Sequence, residues 1–419
     1  MKKVCKKKVG NDGANLLDKV QYGLLLAYLT LVYVFNGNED YNILIYIPLA
    51  LFVVIELGWI LINRTTRINK YLLALFLFVF VCFLSCVWAQ HRDLAMSRAI
   101  TVLLLVVALS FMYNYCIRTK KSVKDILVIL LISGICFSIY LIGYYGVDGL
   151  MGVFGSHARF GEEINNANVV GMELAMTALV AIYFGMSEEK KYYLLAIIPI
   201  ILSLSTASKK AIICVILGII LLIILKDRGK LSLSAMVKKI VLPATIILMA
   251  VFVIQANVFP SLTKRLNYYS NSLVGEGKVD NSTEERNAFI EYGFMSFLDQ
   301  PLIGVGLANS GQITMKAVGR DTYLHNNYVE LLATIGVLGT AVYYYIFVSM
   351  LVFAIKNRRF EDASIVVMIF VLCLVLDWGM VSYYSKITYI YLLLGALFYS
   401  NANNHTNEKN EENLEMKNG

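Results

Sequence analysis

Charge is scarce in this sequence. Only 16% of its 419 residues are Asp, Glu, Lys or Arg, against 58% hydrophobic residues and a mean hydropathy of +0.66. That balance excludes an ordinary soluble globular domain, in which charged residues make up about 25%. The alternating apolar and polar period of a transmembrane barrel is also missing, so any spanning elements must be helices. Of the seven cysteines (Cys5, Cys82, Cys86, Cys116, Cys136, Cys214 and Cys373), none lies in the longest polar stretch, 259–324. This excludes a disulfide framework or a cysteine zinc site there, and the cysteines read as helix packing. There is no internal repeat, no phosphate-binding or dinucleotide glycine motif and no HExxH pair; no cofactor, metal or nucleic-acid partner is expected.

What remains is a series of apolar runs. A hydrocarbon core of about 30 Å needs roughly 20 apolar residues per helix. Runs near 20–36, 42–62, 71–89, 98–116, 125–145, 167–186, 192–206, 210–225, 239–258, 326–355, 364–383 and 386–400 predict an all-α polytopic membrane protein with about twelve spans. The run 326–355 is too long for one plain span, and Gly336 or Gly339 would permit a bend in it. Residues 1–19 form a basic segment. A polar spacer from Asn11 to Asp18 and the lack of a cleavage site separate this segment from a signal peptide. The polar tail 401–419 is expected to be disordered.

Orientation follows from lysine and arginine. With the N-terminus in the cytoplasm, the inside connections carry 25 of the 37 basic residues and the outside ones 12. Both termini are then cytoplasmic, the integral domain covers 20–400, and the 259–324 loop faces outward. The Thr206-Ala207-Ser208-Lys209-Lys210 stretch is kept as a hairpin, because merging its flanking runs would put Lys226, Arg228, Lys230, Lys238 and Lys239 outside.

This topology gathers polar residues on one side. Arg159 stands in the 146–166 loop, against the charge bias of outer loops. Asn166 and Asn168 open the next helix, where amides cap exposed N–H groups and the helix N-terminus favours an anion. The long loop supplies Lys264, Arg265, Lys278, Arg286, Lys316 and Arg320 among comparable numbers of carboxylates, so most of these read as solvated ion pairs. Arg286 differs because it opens an amphipathic run through Ala288, Phe289, Tyr292, Met295 and Leu298. The loop ends at Tyr323-Leu324-His325-Asn326-Asn327-Tyr328, with a histidine at the mouth of a helix. An interfacial anchor beside two tyrosines is the plain alternative for His325.

In order, Arg159-Phe160-Gly161, Asn166-Ala167-Asn168, Thr206-Ala207-Ser208-Lys209, Arg286, Pro301-Leu302-Ile303-Gly304-Val305-Gly306, His325-Asn326, Gly336 and Gly339 resemble the O-antigen ligase and Wzy-type polymerase superfamily. The resemblance covers roughly 150–345. It implies a GT-C-like, metal-independent membrane glycosyltransferase acting on undecaprenyl-pyrophosphate-linked oligosaccharide at the outer face of the cell membrane. Arg159 and Arg286 would engage the donor pyrophosphate, and His325 would help deprotonate the acceptor hydroxyl. Asn166, Asn168, Lys209, Arg265, Arg320 and Asn326 are the further substrate-binding candidates. The sequence departs from the family pattern at Lys209, where arginine is common, in the proline-free Asn165–Asn168 stretch, and at Ile290, where tryptophan is common.

Two arginines can meet a leaving pyrophosphate without a metal, and an imidazole titrating near neutrality can take the hydroxyl proton. A polymerase of repeat units is the favoured expectation, with a flippase and a chain-length regulator as partners. A ligase to a lipid core is the alternative. A lipid-linked glycan transporter is the rival class, with Glu56, Glu173 and Asp377 as its intramembrane ionisable residues.

Overall fold

The computed structural model describes residues 11–36, 39–155, 160–226, 233–264, 266–267 and 281–418. Among them are fourteen α-helices and no strand. These are α1 (Asn11–Phe35), α2 (Asn42–Asn63), α3 (Lys70–Ser85), α4 (Arg92–Arg118), α5 (Val123–Gly155), α6 (Ala167–Ser187) and α7 (Tyr192–Ser205). They continue with α8 (Lys209–Lys226), α9 (Leu233–Gln255), α10 (Asn281–Asp299), α11 (Gly311–Val318), α12 (Asn327–Lys356), α13 (Ala363–Leu376) and α14 (Lys386–Asn418). Each apolar run read from the sequence falls on one of these helices. By length and composition, five are able to cross a membrane: α2, α4, the 123–146 part of α5, α6 and α12. Helices α3, α7 and α13 are apolar but shorter. The chain is an all-α polytopic membrane protein.

Helix α6 is the centre of the bundle. It has 83% of its apolar window buried, more than any other candidate span, and packs against α5, α7 and α8. Small residues allow the close approach, as in other membrane helix pairs. A Cβ on Gly171 would lie 2.5 Å from the Thr206 hydroxyl, and Ser203 donates to the Gly171 carbonyl at 2.8 Å. The hairpin at 206–208 is present: α7 ends at Ser205, Ala207 takes a left-handed φ of 50°, and α8 restarts at Lys209.

The bend expected in the long run sits at Gly336, with φ 66° and ψ −174°. It breaks the helical ladder, and the Pro301–Gly306 segment takes over the released groups. Val337 N donates to Pro301 O at 2.8 Å, Val305 N to Ala333 O at 2.9 Å, and Gly306 N to Thr334 O at 2.8 Å. This explains the proline–glycine run. A Cβ on Gly304 would meet the Thr334 carbonyl carbon at 2.5 Å, and one on Gly336 would collide with the Leu302 backbone. Only glycine permits both the dihedral and the approach.

The stretch read as one polar loop, 259–324, therefore contains two helices, α10 and α11, and a small core of its own. Phe289, Ile313 and Leu324 pack there on Val329 and Ala333 of α12. Helix α14 runs on through the polar tail as far as Asn418. No Gly or Pro interrupts that tail before Gly419, so nothing stops α14 from running on.

Candidate active site

Several helix ends converge on one small polar cavity of about 100 Å³. Asn166 and Asn168 come from the start of α6, Lys210 from the start of α8 and Arg286 from the second turn of α10. Tyr323 and His325 come from the lead-in to α12, and Gly379, Met380, Val381 and Tyr384 from the turn between α13 and α14. Among the described residues its lining includes one guanidinium, one lysine amine and one imidazole but no carboxylate. The starts of two helices, α6 and α8, contribute to the lining, where the helix dipole adds positive potential. Such a cavity is built for an anion.

Local hydrogen bonds hold the walls in place. Asn166 caps α6 by accepting from Asn168 N at 2.9 Å, and Asn168 Oδ1 accepts from Ser208 Oγ at 2.9 Å, tying the start of α6 to that of α8. Lys210 Nζ donates to the Gly379 carbonyl. Asn327 pins the opposite wall, donating to Asp377 Oδ2 at 3.0 Å and accepting from Ser382 N at 3.0 Å and Tyr383 N at 3.3 Å. Asp377 is itself held by Ser382 Oγ at 2.5 Å and Tyr344 OH at 2.9 Å.

His325 stands in a left-handed conformation, φ 55°, sparsely populated and typical of functional positions. Glu330 enforces it from below. Its buried carboxylate accepts from Leu324 N at 3.0 Å and from Ser310 Oγ at 2.7 Å. The imidazole is stacked on Phe289 with centroids 5.7 Å apart and lies 4.0 Å from the Tyr323 ring. Burial, and after it the positive charges of Arg286, Lys210 and Arg320, push the imidazole from its ordinary 6.5 down to about 4. It is neutral at physiological pH, the form that accepts a proton.

Of the nine residues singled out in the sequence, the cavity brings together Asn166, Asn168, Arg286 and His325. Arg159 and Arg265 lie outside the described residues. Lys209 does not line the cavity, whereas Lys210 does. Arg320 forms an exposed ion pair with Glu285 at 3.0 Å. Asn326 caps α12 by accepting from Val329 N at 3.1 Å, and among the described residues its buried amide nitrogen has no hydrogen-bond partner. Lys210, Asn327, Glu330 and the turn 377–384 were missed. The last had been read as the end of a span.

Behind the polar cavity opens an apolar one of about 720 Å³, and Val169, Met172, Met380, Val381 and Tyr384 line both. Of the ionisable residues weighed for transport, Glu56 is bound by Arg118 at 2.9 Å and Gln21 at 3.1 Å, and Asp377 is fully engaged in its turn. Glu173 lines the apolar cavity with both carboxyl oxygens unpartnered.

The all-α membrane fold thus sets a small polar cavity with basic side chains against a larger apolar one. The family model for the O-antigen ligase matches residues 192–344. The match runs from α7 to the middle of α12 and includes Lys210, Arg286 and His325. Over this segment the chain is similar to the O-antigen ligase family, a match that supports the O-antigen ligase and Wzy-type superfamily and a ligase- or polymerase-like activity. The match gives no support to a transporter. No curated protein matches the chain.

Proposed function

We propose that this protein is a polymerase that joins oligosaccharide repeat units, each carried on undecaprenyl pyrophosphate, into a surface polysaccharide at the outer face of the cytoplasmic membrane. The observation that carries the reading is the junction of the two cavities. One is cationic and free of carboxylates, the other apolar, and both share a wall. A pyrophosphate joined to a long isoprenoid has that polarity.

In this mechanism the acceptor hydroxyl oxygen forms a bond to the anomeric carbon while the bond from that carbon to the phosphate oxygen breaks. The electron pair leaves with the pyrophosphate, and His325 takes the hydroxyl proton. Arg286 meets the leaving charge by paired N–H donors, a role the resemblance extends to Arg159, and Asn166 and Asn168 of the same cavity complete the substrate contacts. No metal enters the scheme. A ligase would differ only in the acceptor, and the presence of neighbouring genes for a flippase and a chain-length regulator would favour the polymerase.

The test is turnover of a lipid-linked repeat unit by the purified protein. Arg286→Lys is expected to fail almost as badly as Arg286→Ala, because an ammonium cannot make the fork contact. His325→Ala is expected to bind donor normally but to slow transfer by about 10² to 10⁴. Long polymer at the normal rate from folded His325→Ala would return that side chain to the role of anchor. Transfer of the glycan to a lipid core, with no chain growth, would identify a ligase.

A further inference from the structure

We propose that Lys210 is the second cation of the anion site, held on the Gly379 carbonyl while the pocket is empty and turned onto a donor phosphate oxygen when it is filled. This rests on the pyrophosphate reading above and names a contact that the sequence motif assigned to its neighbour, Lys209.

The first support is position. Lys210 lines the cavity with Arg286, His325, Asn166 and Asn168. It is the second residue of α8, whose start is fixed by Ser208 Oγ accepting from Ala211 N at 3.3 Å. The amine therefore adds to the helix N-terminus rather than opposing it. The second support is pairing. Among the described residues no carboxylate forms a salt bridge with Lys210, and the hydrogen bond of its amine is to a neutral carbonyl. An ammonium has three donors, and a carbonyl is a poor rival to a phosphate oxygen for them.

The third support is complementary shape. A Cβ on residue 379 would lie 2.8 Å from Lys210 Cε and 3.4 Å from its Nζ, so any larger residue there would shift the end of the lysine from its present place. Gly379 stands in a turn fastened by Asn327 and Asp377, and the same turn supplies Met380 and Val381 to both cavities. Moving the lysine from carbonyl to phosphate thus takes a fastening from the wall between headgroup and tail compartments at the moment a headgroup arrives.

The experiment measures binding of inorganic pyrophosphate to the purified full-length protein by calorimetry, in wild type, Lys210→Met, Lys210→Arg, Gly379→Ala and Arg286→Ala. Lys210→Met is expected to weaken binding tenfold or more and to flatten its salt dependence, with Lys210→Arg recovering most of the affinity. Gly379→Ala keeps every charge and is expected to weaken binding as well, by displacing the lysine. Unchanged affinity in Lys210→Met, with Arg286→Ala defective, would overturn the role of Lys210 and leave the anion site standing. Unchanged affinity in both would overturn the role of Lys210 and the pyrophosphate reading together. In turnover, Lys210→Met is expected to raise KM for the lipid-linked donor more than it lowers kcat, a split that a fold defect would not give.

Discussion

At the scale of single residues, the electrostatics of His325 set the pH behaviour of the site. Its imidazole is neutral down to about 4 in the empty pocket, because burial and three nearby cations oppose a further charge. A bound pyrophosphate neutralises those cations, so the titration midpoint followed by NMR is expected to rise by roughly one unit or more on adding inorganic pyrophosphate. A midpoint that stays put would mean that the anion binds elsewhere. The unfolded chain would protonate this histidine near 6.5, taking up more protons than the folded one between there and about 4. Stability is therefore complete above 6.5 and falls as the pH drops through that window, and His325→Phe is expected to lose this component. The sequence showed that His325, Arg286, Asn166 and Asn168 share a side, since charge bias and capping chemistry speak for each position singly. It did not distinguish Lys210 from Lys209, because adjacent helical residues point about 100° apart and only the packed phase of α8 decides which one faces inward. Glu330 acts on the backbone before the histidine rather than on the imidazole, a contact that helical spacing alone does not reveal.

At the scale of elements, the motif Pro301–Gly306 and the bend at Gly336 are one device, built from two glycine-dependent backbones that exchange hydrogen bonds. It fixes where α12 begins, and so where His325 stands. Gly146 in α5 has nearly the same dihedral, φ 65° and ψ −179°, but open space around it. The pair separates strain from collision. Both alanine variants carry the dihedral penalty of about 1–3 kcal/mol, but Gly336→Ala must also displace the Leu302 backbone. Thermal unfolding in detergent is expected to show a larger loss for Gly336→Ala than for Gly146→Ala, with transfer activity lost only in the former. Equal losses would show that the close approach costs nothing. The helices themselves were legible because apolar runs of spanning length leave few alternatives. The turn 377–384 was not, since Trp378 and Met380–Tyr383 continue the apolar pattern. What ends α13 is a tertiary contact with Asn327, which no local signal encodes.

At the scale of the whole molecule, the polar groups are sorted to two ends. Lys124 ties the connection before α5 to Glu188 at 2.5 Å and Glu361 at 2.9 Å, so the connections α4–α5, α6–α7 and α12–α13 lie together. Arg118 brings Asp18 of α1 and Glu56 of α2 to the same α4–α5 connection at 2.6 and 2.9 Å. The candidate site draws instead on the starts of α6, α8 and α12, the other ends of those helices. The Lys124 and Arg118 clusters join connections that the count of basic residues assigns to one side. If basic connections stay in the cytoplasm, the site is expected to face outward. With the native cysteines replaced, a single cysteine at Asn281 is expected to react with a membrane-impermeant maleimide in intact cells, and one at Arg358 only after the cells are opened. Because the ion pairs fix which connections lie together, the two positions are expected to exchange behaviour as a pair if the orientation is wrong. Labelling at Arg358 with protection at Asn281 would place the cationic pocket on the cytoplasmic face, where it could not extend a chain outside the cell. Labelling of both in intact cells would contradict the two-ended arrangement itself.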